Sequence, residues 1–102
     1  MVVTEKIDSN VEYRAMRTQQ AKELSLLLKK TVKWEKWTTE FADYYNFRLR
    51  LGFFTHLSFY PSEKNELDVY NPKLLPWAQK FAKALIDANV ATNVIIIKHF
   101  KT

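Results

Sequence analysis

The chain lacks cysteine altogether and holds one glycine and three prolines in 102 residues. Without cysteine there are no disulfides, no thiolate metal sites and no thiol catalysis. With Gly52 as its only glycine, it has no glycine-rich loop to cradle a phosphate. Little of the backbone can need positive φ, and connections must be short. No stretch reaches the roughly 18 apolar residues that a membrane span needs. The opening "MVVTEKIDSNVEYR" carries early charges and too short an apolar run for a signal peptide. A soluble, intracellular protein is expected. Charge of one sign is also modest. The net charge of +5 is spread over both halves, ten Lys/Arg against seven acids in residues 1–51 and six against four in 52–102. A solvated basic surface accounts for that spread without a nucleic-acid tail.

What is present is apolar and aromatic. Hydrophobic residues make up 47% and aromatics 15%, enough for the core of one globular domain over 1–102. Two segments read as amphipathic helices. In residues 18–31, Thr18 is placed to cap, and Ala21, Leu24, Leu27, Leu28 and Thr31 share one stripe. In residues 76–89, Pro76 suits a first turn, Trp77, Phe81, Ala84, Leu85 and Ala88 form the stripe, and Asn89 suits a left-handed end. "NVIIIKHF", residues 93–100, reads as a strand apolar on both faces, so it is expected to be central or covered on both sides. Residues 32–43 fit either helical spacing through Trp34, Trp37 and Phe41 or a strand, and we take the strand.

"YYNFRLRLGFFTHLSFYP", residues 44–61, alternates too long for one strand. Gly52 at its middle reads as a bulge or break. Before it, Phe47, Leu49 and Leu51 face the core and Arg48 and Arg50 face out. After it, Phe53, Leu57 and Phe59 compete with Phe54, His56 and Tyr60 for the core.

The two helical segments align without a gap, with Tyr13 on Tyr70, Ala21 on Ala78, Leu24 on Phe81 and Leu28 on Leu85. A short gap then sets Phe41 on Phe100, and "EKIDSNVEY" precedes one copy as "EKNELDVY" lies within the other. This predicts internal repeats over 1–43 and 44–102, each strand–helix–strand. The expected fold class is a small α+β domain with an antiparallel or mixed sheet and two helices, nearest to a ferredoxin-like β-α-β-β-α-β order. Two helices on one sheet face leave the other face open.

The runs "VKWEKWTTEFADYYNFRLR" and "NVIIIKHFKT", with the chain length, resemble an orphan protein of the Acidianus filamentous viruses, which infect hyperthermophilic archaea. The resemblance implies a heat-stable viral protein in the host cell cytoplasm. It supplies no catalytic residues and no virion assignment.

Candidate chemistry is thin. His56 and His99 lack the close second ligand that a metal site needs. His56 and Ser58 lie two apart on one strand face, without a third group to orient them. Glu63, Glu66 and Asp68 surround Lys64 in a turn-like segment without calcium-loop spacing. No enzyme and no cofactor are expected. Binding is the remaining reading. Trp34 and Trp37 fall on opposite faces of a strand, so one of them leaves the helix-covered layer. With Arg48, Arg50, Phe54, His56 and Tyr60 they are the candidate partner residues, of the types enriched in interfaces. The expected partner is a protein or peptide, viral or host, or a second copy in a homodimer. The contact would use an aromatic sheet face, an edge strand or the groove between repeats. The alternative is nucleic acid, held by Arg48, Arg50 and a Lys22–Lys29–Lys33–Lys36 ridge that requires helix beyond Thr31.

Overall fold

The computed structural model describes residues 3, 9–61 and 65–101. Helix α1 spans Ser9–Leu28 and so begins well before the apolar stripe, whose first residue is Ala21. Thr18 is therefore mid-helix and caps nothing. The extension follows from "EYRAMRTQQAKE", which has no breaker and is rich in strong helix formers. Only the C-terminal half of the helix buries side chains, through Ala21, Leu24 and Leu28. Leu27 and Thr31, expected in the stripe, are exposed. The helix stops where Lys29 turns left-handed at φ 55°. A following Ser25 hydroxyl then accepts the Val32 N–H at 2.9 Å and ties the next strand to the helix.

Strand β1 (Val32–Thr38) pairs antiparallel with β2 (Asp43–Arg50), from Val32 opposite Leu49 to Thr38 opposite Asp43. The strand reading of 32–43 thus holds as far as Thr38, and Phe41 lies exposed in the turn beyond. β2 pairs antiparallel with β3 (His56–Phe59), and β3 with β4 (Glu66–Val69). Helix α2 (Leu75–Asp87), entered through a 3-10 turn at Pro72–Leu74, returns the chain to β5 (Ile95–Lys98), parallel to β4. Asn89 adopts φ 57° beyond α2, where the Val90 N–H reaches the Leu85 carbonyl at 2.9 Å.

The result is a small α+β domain with a five-stranded mixed sheet in the order β1-β2-β3-β4-β5. Among the described residues its order, α-β-β-β-β-α-β, departs from the ferredoxin-like one. The two helices that align in sequence both pack on the core, and the strands that follow them, β1 and β5, form opposite edges. The gap-free alignment sets residues 9–12 against β4, yet they open helix α1, and residues 4–8, where a strand before that helix would fall, lie outside the described residues.

The isoleucine strand sits at an edge with Ile95 half exposed, so the expectation of a central strand, or one covered on both sides, is corrected. The crossover through α2 must deliver β5 beside β4, and β3 already holds the other side of β4. Its second apolar row, Ile95 and Ile97, therefore lies on the face away from the helices.

The core lies between that sheet and the two helices. Val32, Phe47, Leu49, Leu57, Phe59, Leu67 and Val69 face Ala21, Leu24 and Leu28 of α1 and Ala78, Phe81, Ala84 and Leu85 of α2. Each fully buried Leu or Phe contributes about 1.5–3 kcal/mol by removal from water. Leu57 and Phe59 win the competition after Gly52. Phe53 and Phe54 both fall in the β2–β3 connection, which closes through Leu51 N–H and Gly52 N–H to the Thr55 carbonyl at 2.9 and 3.1 Å. Gly52 marks a break and not a bulge, and its φ is not positive.

Candidate interaction surface

The alternation that buries one row of each strand exposes the other. Lys33, Glu35 and Trp37 of β1 lie opposite Arg48, Asn46 and Tyr44 of β2 on the face that no helix covers. Arg48 and Arg50 continue it to Ser58 and His56 of β3. Tyr60, Asp68 and Tyr70 complete it. Of the candidates from sequence, Trp37, Arg48, Arg50, His56 and Tyr60 share this face.

Two do not. Trp34 lies on the helix side, its ring 4.7 Å from Phe47 and 5.9 Å from Tyr45. Tyr13 of α1 meets it edge-on at 6.2 Å, and the Arg17 guanidinium sits 5.4 Å above it. It finishes the core rim because it is the residue opposite Phe47. Phe54 is on the loop, 97% exposed, and belongs to no sheet face. The turn at Gly52 removes it from the alternation.

The face carries two adjoining depressions that share His56. A cleft of about 460 Å³ lies over β1 and β2, walled by Lys33, Glu35, Arg48, Arg50 and Phe53. Arg48 meets Glu35 at 3.4 Å, and its Nε is buried without a hydrogen-bond partner. A groove of about 690 Å³ follows β3, walled by Trp37, Tyr44, Tyr60, Tyr70 and Leu74 with Asp68 at its side. The rings meet: Trp37 and Tyr44 at 6.1 Å, Tyr44 and Tyr60 edge-on at 6.4 Å. His99 stacks on Tyr70 at 4.4 Å, and its Nε2 lies 2.9 Å from Asp68 Oδ1.

Asn46 sits between the depressions and is fully buried. Its Nδ2 donates to the Glu35 carbonyl at 3.4 Å while its Oδ1 has no partner. His56 is held below the ordinary histidine value of 6.5, chiefly by burial and next by the Arg48 charge, with Glu35 pulling the other way.

The residues weighed for chemistry are dispersed or occupied. Asp68 is engaged by His99, and Glu63 lies outside the described residues. Among the described residues no three His, Cys, Asp or Glu groups gather to hold a metal ion, and no helix is long and apolar enough to cross a membrane. The lysine ridge is interrupted, because α1 ends at Leu28 and Lys33 and Lys36 point to opposite faces of β1.

Sequence reasoning missed Tyr44, Tyr70 and the Asp68–His99 pair. Tyr44 was within reach, since it shares strand parity with Arg48 and Arg50. Tyr70 and His99 stand far apart in the chain and meet only through the parallel β4–β5 pairing. No protein family, curated protein or solved structure matches the chain.

Proposed function

We propose that the chain is a non-enzymatic interaction module that binds an extended segment of a partner protein across its open sheet face. One observation carries this reading: a groove of about 690 Å³ walled by four aromatic side chains on the face away from both helices. Rings held on strands, as Trp37 and Tyr44 are, or just past strand ends, as Tyr60 and Tyr70 are, offer large contact area, and aromatic residues concentrate in the cores of interfaces. Four such rings left against water without a partner would form a costly patch. The setting proposed is the host cell cytoplasm, with a viral or host partner.

The test is a random-peptide library panned against the protein, with the enriched peptides then titrated into isotope-labelled protein. Shifts concentrated at Trp37, Tyr60 and Tyr70, with affinity lost in Trp37→Ala, support the groove. Peptides that shift only α1 and α2 remove it.

A further inference from the structure

The aromatic groove does not end in plain solvent. It runs into the cleft over β1 and β2 through His56, which walls both. The character of the surface changes there. Lys33 and Arg48 face each other as direct partners on adjacent strands, and Arg50 lies two residues further along the same row. Glu35 is the one carboxylate among the described residues lining the cleft, and Arg48 already holds it at 3.4 Å. Among the described residues, three cations against one engaged acid leave an excess of local positive charge. The ring of Phe53, 90% exposed, stands at the mouth.

We infer that the partner segment is acidic at one end and aromatic or branched-apolar at the other, its carboxylates seated among Lys33, Arg48 and Arg50 and its apolar side chains in the groove. The inference rests on the reading of the open face as a peptide-binding surface. Charge complementarity argues for it: guanidinium groups pair carboxylates in fixed fork geometry, and clustered like charges gain most from an opposite charge. Segregation of charge argues against a nucleic-acid strand. Evenly spaced phosphates would carry negative charge along the whole face, past Asp68 and over the rings. The cations that would serve them are elsewhere, Lys36 on the opposite sheet face and Lys22 and Lys29 on the helix side. A peptide with its acids at one end meets cations where they are and rings where they are.

The experiment uses fluorescence anisotropy of the full chain with three labelled probes. Two are peptides with the same aromatic half, preceded by four glutamates in one and four glutamines in the other. The third is an oligothymidylate of similar length. The glutamate peptide is expected to bind about tenfold more tightly than the glutamine peptide in low salt, the size of two or three modest charge pairs. The difference should shrink as salt rises. It should also close in the Lys33→Gln/Arg50→Gln double variant, both exposed positions, whose melting temperature is checked beside it. Trp37→Ala should weaken both peptides alike. Equal affinity for the two peptides overturns the acidic partner and leaves the groove reading standing. Failure of both peptides to bind overturns both readings. Tighter binding of the oligothymidylate than of either peptide, steeply dependent on salt, assigns the surface to nucleic acid and overturns both as well.

Discussion

Two tryptophans three residues apart have opposite jobs. Trp34 faces the helices and packs on Phe47, with its indole N–H buried and unpaired. Trp37, half exposed, stands on the other side against Tyr44. Trp34→Ala should therefore cost about 2–4 kcal/mol, in the lower range for a large ring removed from a core. Trp37→Ala should cost about 1 kcal/mol or less and act on binding instead. Urea unfolding of the two variants checks the assignment, and equal losses would contradict it.

His56 is a second case where position decides chemistry. Its value in the folded protein lies below 6.5, so the unfolded chain takes up a proton first as pH falls. Well above pH 6.5 neither state is charged and the group contributes nothing. Below it the folded state loses stability, and the loss is complete once pH passes the lowered folded value. Burial and then the Arg48 charge set the lowered value, with Glu35 on β1 opposing them, and Arg50 is the neighbour facing His56 on β2. His56→Gln should remove that part of the acid slope, read as melting temperature between pH 7 and 5. An unchanged slope would show that the acid sensitivity lies elsewhere.

At the scale of elements, the scarcity of glycine has a visible consequence. The left-handed positions after α1 and α2 fall to Lys29 and Asn89. Asparagine tolerates that conformation through its short polar side chain, whereas lysine pays for its Cβ. Lys29→Gly should stabilise the protein by up to about 1 kcal/mol, read as the denaturant midpoint. Its exposed side chain leaves little to lose. The long N-terminal extension of α1 belongs here too. Propensity without an apolar stripe carried the helix back to Ser9, with Tyr13 and Arg17 resting on Trp34.

At the scale of the molecule, the two sheet edges differ. β1 presents Lys33, Glu35 and Lys36 along its length, the usual protection of an unpaired strand. β5 presents three isoleucines before its first charge at Lys98. Alternate N–H and C=O groups of such an edge have no ladder partner. Ile95→Lys, at a half-exposed position on the edge, should lower self-association of the concentrated protein on heating, measured by light scattering. The converse change Lys33→Ile reads the other edge, where loss of a charge should raise self-association.

Much was written in the chain itself. Periodicity dictated two helices and the split of Phe47 and Leu49 from Arg48 and Arg50, because alternation along a strand is a local rule, whereas residues 32–38 fitted helix and strand alike until pairing with β2 decided for the strand. The left-handed end at Asn89 and the break at Gly52 were legible for the same reason. Tertiary structure alone decided what depends on pairing. It put the isoleucine strand at an edge, because a crossover strand must join whichever edge is unoccupied. It turned Trp34 inward, because register with Phe47 fixes which parity is core. It brought Tyr70 to His99 and the cationic cleft to the aromatic groove, because strands distant in sequence share a face only once the order of the sheet is set.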